Sequence, residues 1–146
     1  MNHAAVLARL RRFLLALSAA LLTGTLLELW LTEHAESFVQ LIPHVLCVLG
    51  LAAILVMLLR PRRITVLCLR VLMLLVAAGA LFGVYNHVWN NIAFEREINP
   101  KAGVGEMVLA ALGGANPLLA PGILGVAAAL AMAATYYHPA LKGNDE

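Results

Sequence analysis

Four long apolar stretches, separated by short polar segments, dominate the pattern of residues along this chain. Each stretch holds about twenty residues, enough for an α-helix rising about 1.5 Å per residue to cross about 30 Å of hydrocarbon. The pattern therefore predicts an all-α fold, an integral membrane four-helix bundle formed by a single domain over residues 1–146. The predicted spans cover about residues 13–31, 38–59, 64–84 and 117–137.

A shorter apolar segment, GEMVLAAL, precedes the fourth span and is too short to cross a bilayer by itself. We expect Glu106–Leu112 to form a short interfacial helix or a re-entrant segment. The sequence NPLLAPG that follows favours the start of a helix, because Asn116 is a good N-cap residue and proline suits the first helical position. The fourth span is accordingly predicted to begin at Pro117.

The composition indicates that lipid, rather than water, surrounds much of this chain. Hydrophobic residues make up 62% of the sequence and charged residues only 12%, whereas soluble domains average about 45–50% and about 25%. The formal net charge of +2, without a basic stripe interleaved with aromatic residues, argues against nucleic acid as a partner. The sequence contains no P-loop, GxSxG or HExxH motif, so an enzyme is disfavoured.

Basic residues are distributed unequally over the predicted loops, and this distribution predicts an orientation. Arginines precede the first span and fill the RPRR turn between the second and third spans. By the positive-inside rule that side faces the cytoplasm. We therefore expect a multi-pass protein of the bacterial inner membrane, with both termini cytoplasmic and the other loops in the periplasm. Eight of the ten basic residues lie on the cytoplasmic side: Arg9, Arg11, Arg12, Arg60, Arg62, Arg63, Arg70 and Lys142.

Acidic and histidine side chains concentrate on the opposite, predicted periplasmic side. Many of them lie in the first outer loop or in the segment YNHVWNNIAFEREINP after the third span. The positive-inside rule does not explain this concentration, because acidic residues contribute little to it. The residues concerned are Glu28, Glu33, Glu36, Glu95, Glu97 and Glu106, together with His34, His44 and His87.

Glu28 lies inside the first predicted span, about one turn before its end. A carboxylate within the membrane is costly unless it reaches water, is protonated or finds a partner. Ser18, Thr25, Glu28 and Thr32 recur at nearly helical spacing, so they form a polar stripe that we expect to face the interior of the bundle. Glu28 is therefore a candidate functional residue within the membrane.

Histidines and carboxylates on the outer side also suggest a transition-metal site. His34, His44 and His87 would be the ligands, and Glu95 or Glu97 would complete a set suited to Zn²⁺ or copper. His87 and Glu95 are eight residues apart, about 12 Å along a helix, so they cannot hold one ion by themselves. Such a site requires His87 to meet the histidines of the first outer loop. The sequence leaves open whether these histidines instead anchor or cap the helices at the interface.

The same face could bind a protein. Glu95, Arg96 and Glu97 would form the contact surface for a membrane-protein partner, and the aromatic residues nearby would fix their depth in the interface. Gly79 and Gly83 form a GxxxG motif in the third span, which lets helices approach closely. This motif favours packing within the chain over a homo-oligomer.

The pattern His87-x3-Asn91-x2-Phe94-Glu95-x-Glu97-x2-Pro100, followed by GANPLLAPG and YYHP, resembles one found in small four-span bacterial membrane proteins of uncharacterised function. The resemblance implies a shared fold and an outward polar motif, and no activity. The sequence therefore predicts a non-enzymatic inner-membrane protein with a periplasm-facing His/Glu/Asn surface, an accessory or interaction subunit of a membrane assembly. The alternative is a protein that binds or transports Zn or Cu ions.

Overall fold

The computed structural model describes residues 2–33, 35, 37–114, 116 and 118–141. Within these ranges the chain forms α-helices and one short 3-10 turn, and no strand, which confirms the predicted all-α class. The helices are α1 (His3–Leu31), α2 (Phe38–Leu59), α3 (Arg63–Ile98), α4 (Val104–Leu112) and α5 (Leu119–Ala134), and the 3-10 turn is Pro139–Leu141.

Three of these helices, α1, α2 and α3, are long and apolar enough to cross a membrane. Helices of this length and composition indicate a multi-pass membrane protein. The helix in the region of the predicted fourth span, α5, is apolar but has only 16 residues, which correspond to about 24 Å.

The helices pack in a closed order around one core. Both α2 and α5 pack against α1 and against α3, and α4 packs against α3. Leu and Val residues of α1 and α3 meet small alanines of α5, so α5 lies close to its neighbours. The buried core includes Leu15, Leu22, Cys47, Ile54, Val66, Leu69, Met73, Val76, Leu124, Ala127 and Ala131.

Glycines of α3 are used for contacts inside the chain. A Cβ atom on Gly79 would collide with the side chain of Leu46 in α2, and one on Gly83 would lie 3.0 Å from Cβ of Pro121 in α5. The GxxxG motif of the third predicted span therefore packs α3 against two neighbours, as the intrachain reading predicted.

Helix α3 is longer than its apolar stretch. The third span was predicted to end near Val84, but the helix continues to Ile98 and has 36 residues, about 54 Å. This length exceeds the hydrocarbon thickness of about 30 Å. The polar segment after Val84 is therefore mostly helix rather than loop. The short helix predicted at Glu106–Leu112 is present as α4, which starts at Val104.

The predicted start of the fourth helix is wrong. Helix α5 begins at Leu119, and its N-cap residue is Leu118, which makes no side-chain cap bond. Asn116 does not cap it: its backbone and side-chain N–H groups both donate to Oδ1 of Asn91, each at 2.9 Å. The helix also ends at Ala134, before the predicted Tyr137. Pro117 lies outside the described residues.

Arginines bond the residues that follow the C-terminus of α5. Nε and Nη2 of Arg70 donate to Oγ1 and the carbonyl oxygen of Thr135, both at 2.9 Å. Nη2 of Arg11 donates to the carbonyl oxygen of Tyr137 at 3.0 Å. Cations are favourable at a helix C-terminus, where carbonyl groups lack intrahelical partners. We call this the arginine end, because the start of α1 and the α2–α3 turn also place arginines here.

Candidate functional site

A cavity of about 470 Å³ lies at the opposite end, where residues of α1, α2, α3 and α5 meet. Its mouth is marked by exposed polar residues such as Glu28 and Asn90, whereas Thr25 and Leu124 in its wall are buried. The cavity therefore extends from the surface into the packed helices. Its volume falls in the range of about 300–1,000 Å³ that is usual for small-molecule sites.

Helix α1 contributes one wall through residues at helical spacing. Thr25, Glu28, Leu29 and Thr32 line the cavity, and positions three, four and seven residues apart share one face of a helix. Ser18, the next member of the polar stripe towards the N-terminus, is buried and donates from Oγ to the carbonyl oxygen of Ala127 at 2.8 Å. Ser18 and Thr25 of the predicted polar stripe are therefore buried, whereas Glu28 and Thr32 are exposed and border the cavity.

Helix α3 contributes the facing wall. Phe82, Asn86, His87 and Asn90 line the cavity, with spacings of three, four and eight residues that place them on one side of a helix. The continuation of α3 past Val84 is what presents these amide and imidazole groups to the cavity. Part of the polar motif therefore faces inward, towards the other helices.

Two buried polar atoms in the cavity wall have no hydrogen-bond partner among the described residues: Oγ1 of Thr25 and Nδ2 of Asn86. The side chain of Thr25 is only 2% exposed. In contrast, Thr23 and Thr32 donate to the carbonyl oxygens four residues earlier, at 2.9 and 2.8 Å. An unsatisfied buried polar group costs about 1–3 kcal/mol. Both atoms are almost wholly enclosed by the surrounding protein atoms.

The remaining walls are largely apolar. Leu46 of α2 and Pro121 and Leu124 of α5 line the inner part, and Leu29 adds to them from α1. Gln40 of α2 lies among the lining residues near the mouth. The cavity thus combines an apolar inner surface with a small number of polar groups, the usual make-up of a ligand site.

Asn91, next to this wall, has a structural role. Its side chain is 1% exposed, and Nδ2 donates to the carbonyl oxygens of Ala111 and Asn116 at 2.8 and 2.9 Å. A Cβ atom on Gly114 would lie 2.6 Å from Cγ of Asn91, so only glycine allows this close approach. Asn91 therefore fixes the segment between α4 and α5, which brings Asn116 to the cavity.

The structure brings only some of the predicted site residues together. Glu28 and His87 both line the cavity. Nδ1 of His44 lies 3.0 Å from the carbonyl oxygen of Gln40, and because that oxygen can only accept, Nδ1 carries the proton. His44 itself is not among the lining residues. His34 lies outside the described residues.

The carboxylates predicted as metal ligands lie further along α3. Glu95 is half-buried, and Arg96 and Glu97 are exposed, and none of the three lines the cavity. Among the described residues, no group of three or more His, Cys, Asp or Glu side chains is placed to hold a metal ion. Because the predicted ligand His34 is not described, the metal site stays a prediction. Metal analysis of the purified protein with and without His87→Ala tests it.

Sequence reasoning did not identify Thr25, Asn86 and Asn116 as parts of one cavity. The helical spacing of Thr25 with Glu28 was a usable signal for the α1 wall. Asn86 lies in α3 and Asn116 lies in the segment before α5, so tertiary packing is needed to bring them together.

Comparison of the chain with protein-family models, with curated proteins and with solved structures found no match.

Proposed function

We propose that this chain is a non-enzymatic, multi-pass protein of the bacterial inner membrane that binds a small amphipathic molecule in its cavity. The observation that carries this proposal is a cavity of about 470 Å³ that combines an apolar interior with polar side chains at its mouth, Glu28 and Asn90 among them. A ligand with an apolar body would displace water from that interior. Its polar group would bond the polar side chains at the mouth.

A four-span arrangement with both termini in the cytoplasm is part of this proposal. The arginines near the start of α1, the α2–α3 turn and Arg70 gather at one end of the helices, and the cavity lies at the other. This separation supports the orientation given by the positive-inside rule. The mouth of the cavity then faces the periplasm. The length of α3 carries its last turns beyond the hydrocarbon on that side.

Filling the cavity tests the ligand proposal directly. Ala120 lines the cavity, whereas its neighbour Leu119 is 73% exposed and does not. Ala120→Phe should therefore reduce the cavity volume, and Leu119→Phe provides a matched control with the same new side chain on the same helix. The binding of cyclohexylmethanol, a compact amphipathic probe, to protein in an uncharged detergent is measured by titration calorimetry.

We expect the probe to bind the unchanged protein and the Leu119→Phe variant with equal affinity. The affinity of the Ala120→Phe variant for the probe should fall by about tenfold or more. The phenylalanine ring occupies part of the cavity, so the probe can no longer bury its apolar body there. Equal binding to all three proteins would contradict the proposal, and so would the absence of binding to the unchanged protein.

A second function, contact with a membrane-protein partner, is favoured by the continuation of α3. The helix presents Arg96 and Glu97 as exposed residues beyond the apolar stretch, with the half-buried Glu95 beside them. A rigid helix with charges of both signs is suited to a complementary charged surface. Under this proposal, membrane proteins that co-purify with the chain are lost when Glu95 and Glu97 are both changed to Ala. Unchanged co-purification would overturn it.

A further inference from the structure

One lining side chain among the described residues carries a full negative charge. Glu28 is the one carboxylate among the described lining residues, and neither lysine nor arginine is among them. His87 is the other titratable group of this wall, and it also makes an interaction of its own. No cationic arginine or lysine head therefore neutralises Glu28 from within the described wall.

The helix termini near the cavity offset only part of the negative charge of Glu28. The N-termini of α2 and α5 and the C-terminus of α1 lie near the cavity, since their first or last turns supply lining residues. Each terminus carries about half a unit charge, positive at an N-terminus and negative at a C-terminus. Their sum is about half a positive charge, which is smaller than the full negative charge of the Glu28 carboxylate.

Two backbone N–H groups at the N-terminus of α2 already have hydrogen-bond partners. Ser37 and Gln40 form a capping box, in which the backbone N–H of Gln40 donates to Oγ of Ser37 and the backbone N–H of Ser37 donates to Oε1 of Gln40. These N–H groups are therefore not available to an anion. The end of the cavity at α2 offers little to compensate an anionic ligand for its lost hydration.

The carboxylate of Glu28 defines a complementary group on the ligand. A carboxylate can only accept, so it needs a donor, and a charged donor gives the stronger bond. Glu28 is exposed and lines the cavity, so its carboxylate is accessible to such a donor.

We propose that the cavity selects an amphipathic amine and rejects anionic amphiphiles. The protonated amine bonds the carboxylate of Glu28. The apolar body of the ligand lies against Leu29, Leu46 and Leu124. This inference rests on the proposed function, because it specifies the ligand of the same cavity.

Three probes that share one apolar body test the selectivity. Cyclohexylmethylamine, cyclohexylmethanol and cyclohexanecarboxylate are titrated separately into the full chain in dodecyl maltoside at pH 7. We expect the amine to bind about tenfold more tightly than the alcohol, because its hydrogen bond to Glu28 is charge-assisted. The carboxylate should bind most weakly. Glu28→Gln should remove the preference for the amine, because the amide that replaces the carboxylate carries no charge.

The helical circular dichroism spectrum and the melting temperature of Glu28→Gln, compared with those of the unchanged protein, show that the variant is folded. Glu33→Gln is the matched control, because Glu33 is exposed, lies just beyond α1 and does not line the cavity. This control should keep the full preference for the amine, since the same charge is removed from outside the cavity.

The outcomes separate this inference from the proposed function. Equal affinities for amine and alcohol, lost together in Ala120→Phe, would overturn the amine selectivity and keep the ligand site. Tightest binding of the carboxylate would also overturn it. If no probe binds, or if Ala120→Phe changes nothing, the ligand site itself is wrong.

The amine could belong to a lipid headgroup or to a free molecule. Added phosphatidylethanolamine distinguishes the two when the amine titration is repeated in its presence. Competition with the amine probe would support a lipid amine as the ligand. Unchanged probe affinity would support a free amine.

Discussion

At the scale of single residues, Asn91 connects parts of the chain that are far apart in sequence. Its two side-chain polar atoms take part in four hydrogen bonds to Ala111 and Asn116. The bonds leave no polar group of this buried amide without a partner. Asn91 therefore fixes the approach of the chain to α5, and with it one wall of the cavity.

Replacing Asn91 with Leu should lower the free energy of unfolding by about 2–4 kcal/mol. The change keeps a similar volume but leaves the buried partner groups of Asn91 unsatisfied, each at a cost of about 1–3 kcal/mol. Unfolding in detergent with urea measures the change. The neighbouring Asn90 is exposed, so Asn90→Leu should stay within about 0.5 kcal/mol. Equal stabilities of the two variants would contradict the structural role of Asn91.

His138, just after α5, should make the stability depend on pH. Burial, and then the positive charges of Arg11 and Arg70, lower the pKa of His138 below its usual 6.5. The neutral ring also accepts a hydrogen bond at Nδ1 from the backbone N–H of Ala140 at 3.2 Å. The folded state thus binds fewer protons than the unfolded state, and its stability falls as the pH drops below about 6.5.

The expected result is a lower melting temperature in detergent at pH 5.5 than at pH 7.5, with a smaller decrease for His138→Gln. His3 is exposed at the start of α1, and His3→Gln serves as the control that should keep the full decrease. A decrease that is the same in His138→Gln and in the unchanged protein would assign the pH dependence to other groups.

At the scale of elements, α5 is short and is held by its neighbours at its middle and at its C-terminal end. Ser18 of α1 bonds its middle, and Arg70 of α3 bonds Thr135 at its C-terminal end. Oγ1 of Thr135 in turn donates to the carbonyl oxygen of Met132 at 2.7 Å. The position of α5, which provides Pro121 and Leu124 to the cavity, therefore depends on polar contacts as well as on apolar packing.

Arg70→Gln should lower the free energy of unfolding by about 1–3 kcal/mol. The loss has two parts: a charge-assisted bond to a carbonyl oxygen and the favourable interaction with the C-terminus of α5. Arg12→Gln removes the same charge from an exposed position of α1 and should change stability little. Chemical unfolding of both variants in the same detergent makes the comparison, and a larger effect of Arg12→Gln would contradict it.

Helix bounds could be predicted from the sequence where they coincide with the ends of apolar stretches. The apolar stretches that became α1 and α2 were recognisable by length alone, and three of their predicted ends agree with Leu31, Phe38 and Leu59. Helix α1, however, begins at His3, ten residues before the predicted start at about residue 13, because the helix continues into the arginine-containing segment that precedes the apolar stretch. The start of α5 was not predictable in this way. Asn116 has the side chain of a good cap, but it bonds Asn91, twenty-five residues earlier in the chain, and no local pattern reveals that partner.

The cavity was predictable only in part, for the same reason. The spacing of Thr25, Glu28 and Thr32 indicated an inward polar face on α1. The facing residues Asn86 and His87 were recognised as unusual polar residues. The third span was predicted to end near Val84, where the apolar stretch ends, but α3 continues past this point and places both residues on the helix. Which of them meet was decided by tertiary packing, which brings α3 against both α2 and α5.

At the scale of the whole molecule, the two ends of the helices differ in chemistry. Arginines occupy one end, where two of them bond the residues that follow α5. Amides, Glu28 and His87 surround a cavity at the other end. Such a separation makes the orientation in the membrane decisive for function, because it determines from which compartment a ligand reaches the cavity.

Cysteine labelling tests this orientation. In a background with Cys47→Ala and Cys68→Ala, single cysteines are introduced as Asn99→Cys, just after α3, and Arg62→Cys, in the α2–α3 turn. A membrane-impermeant maleimide applied to spheroplasts should label the Asn99→Cys variant, and label Arg62→Cys only after lysis, because arginine-rich turns stay in the cytoplasm. The reverse result would place the mouth of the cavity in the cytoplasm. Its ligand would then have to be a cytoplasmic molecule rather than one from the periplasm.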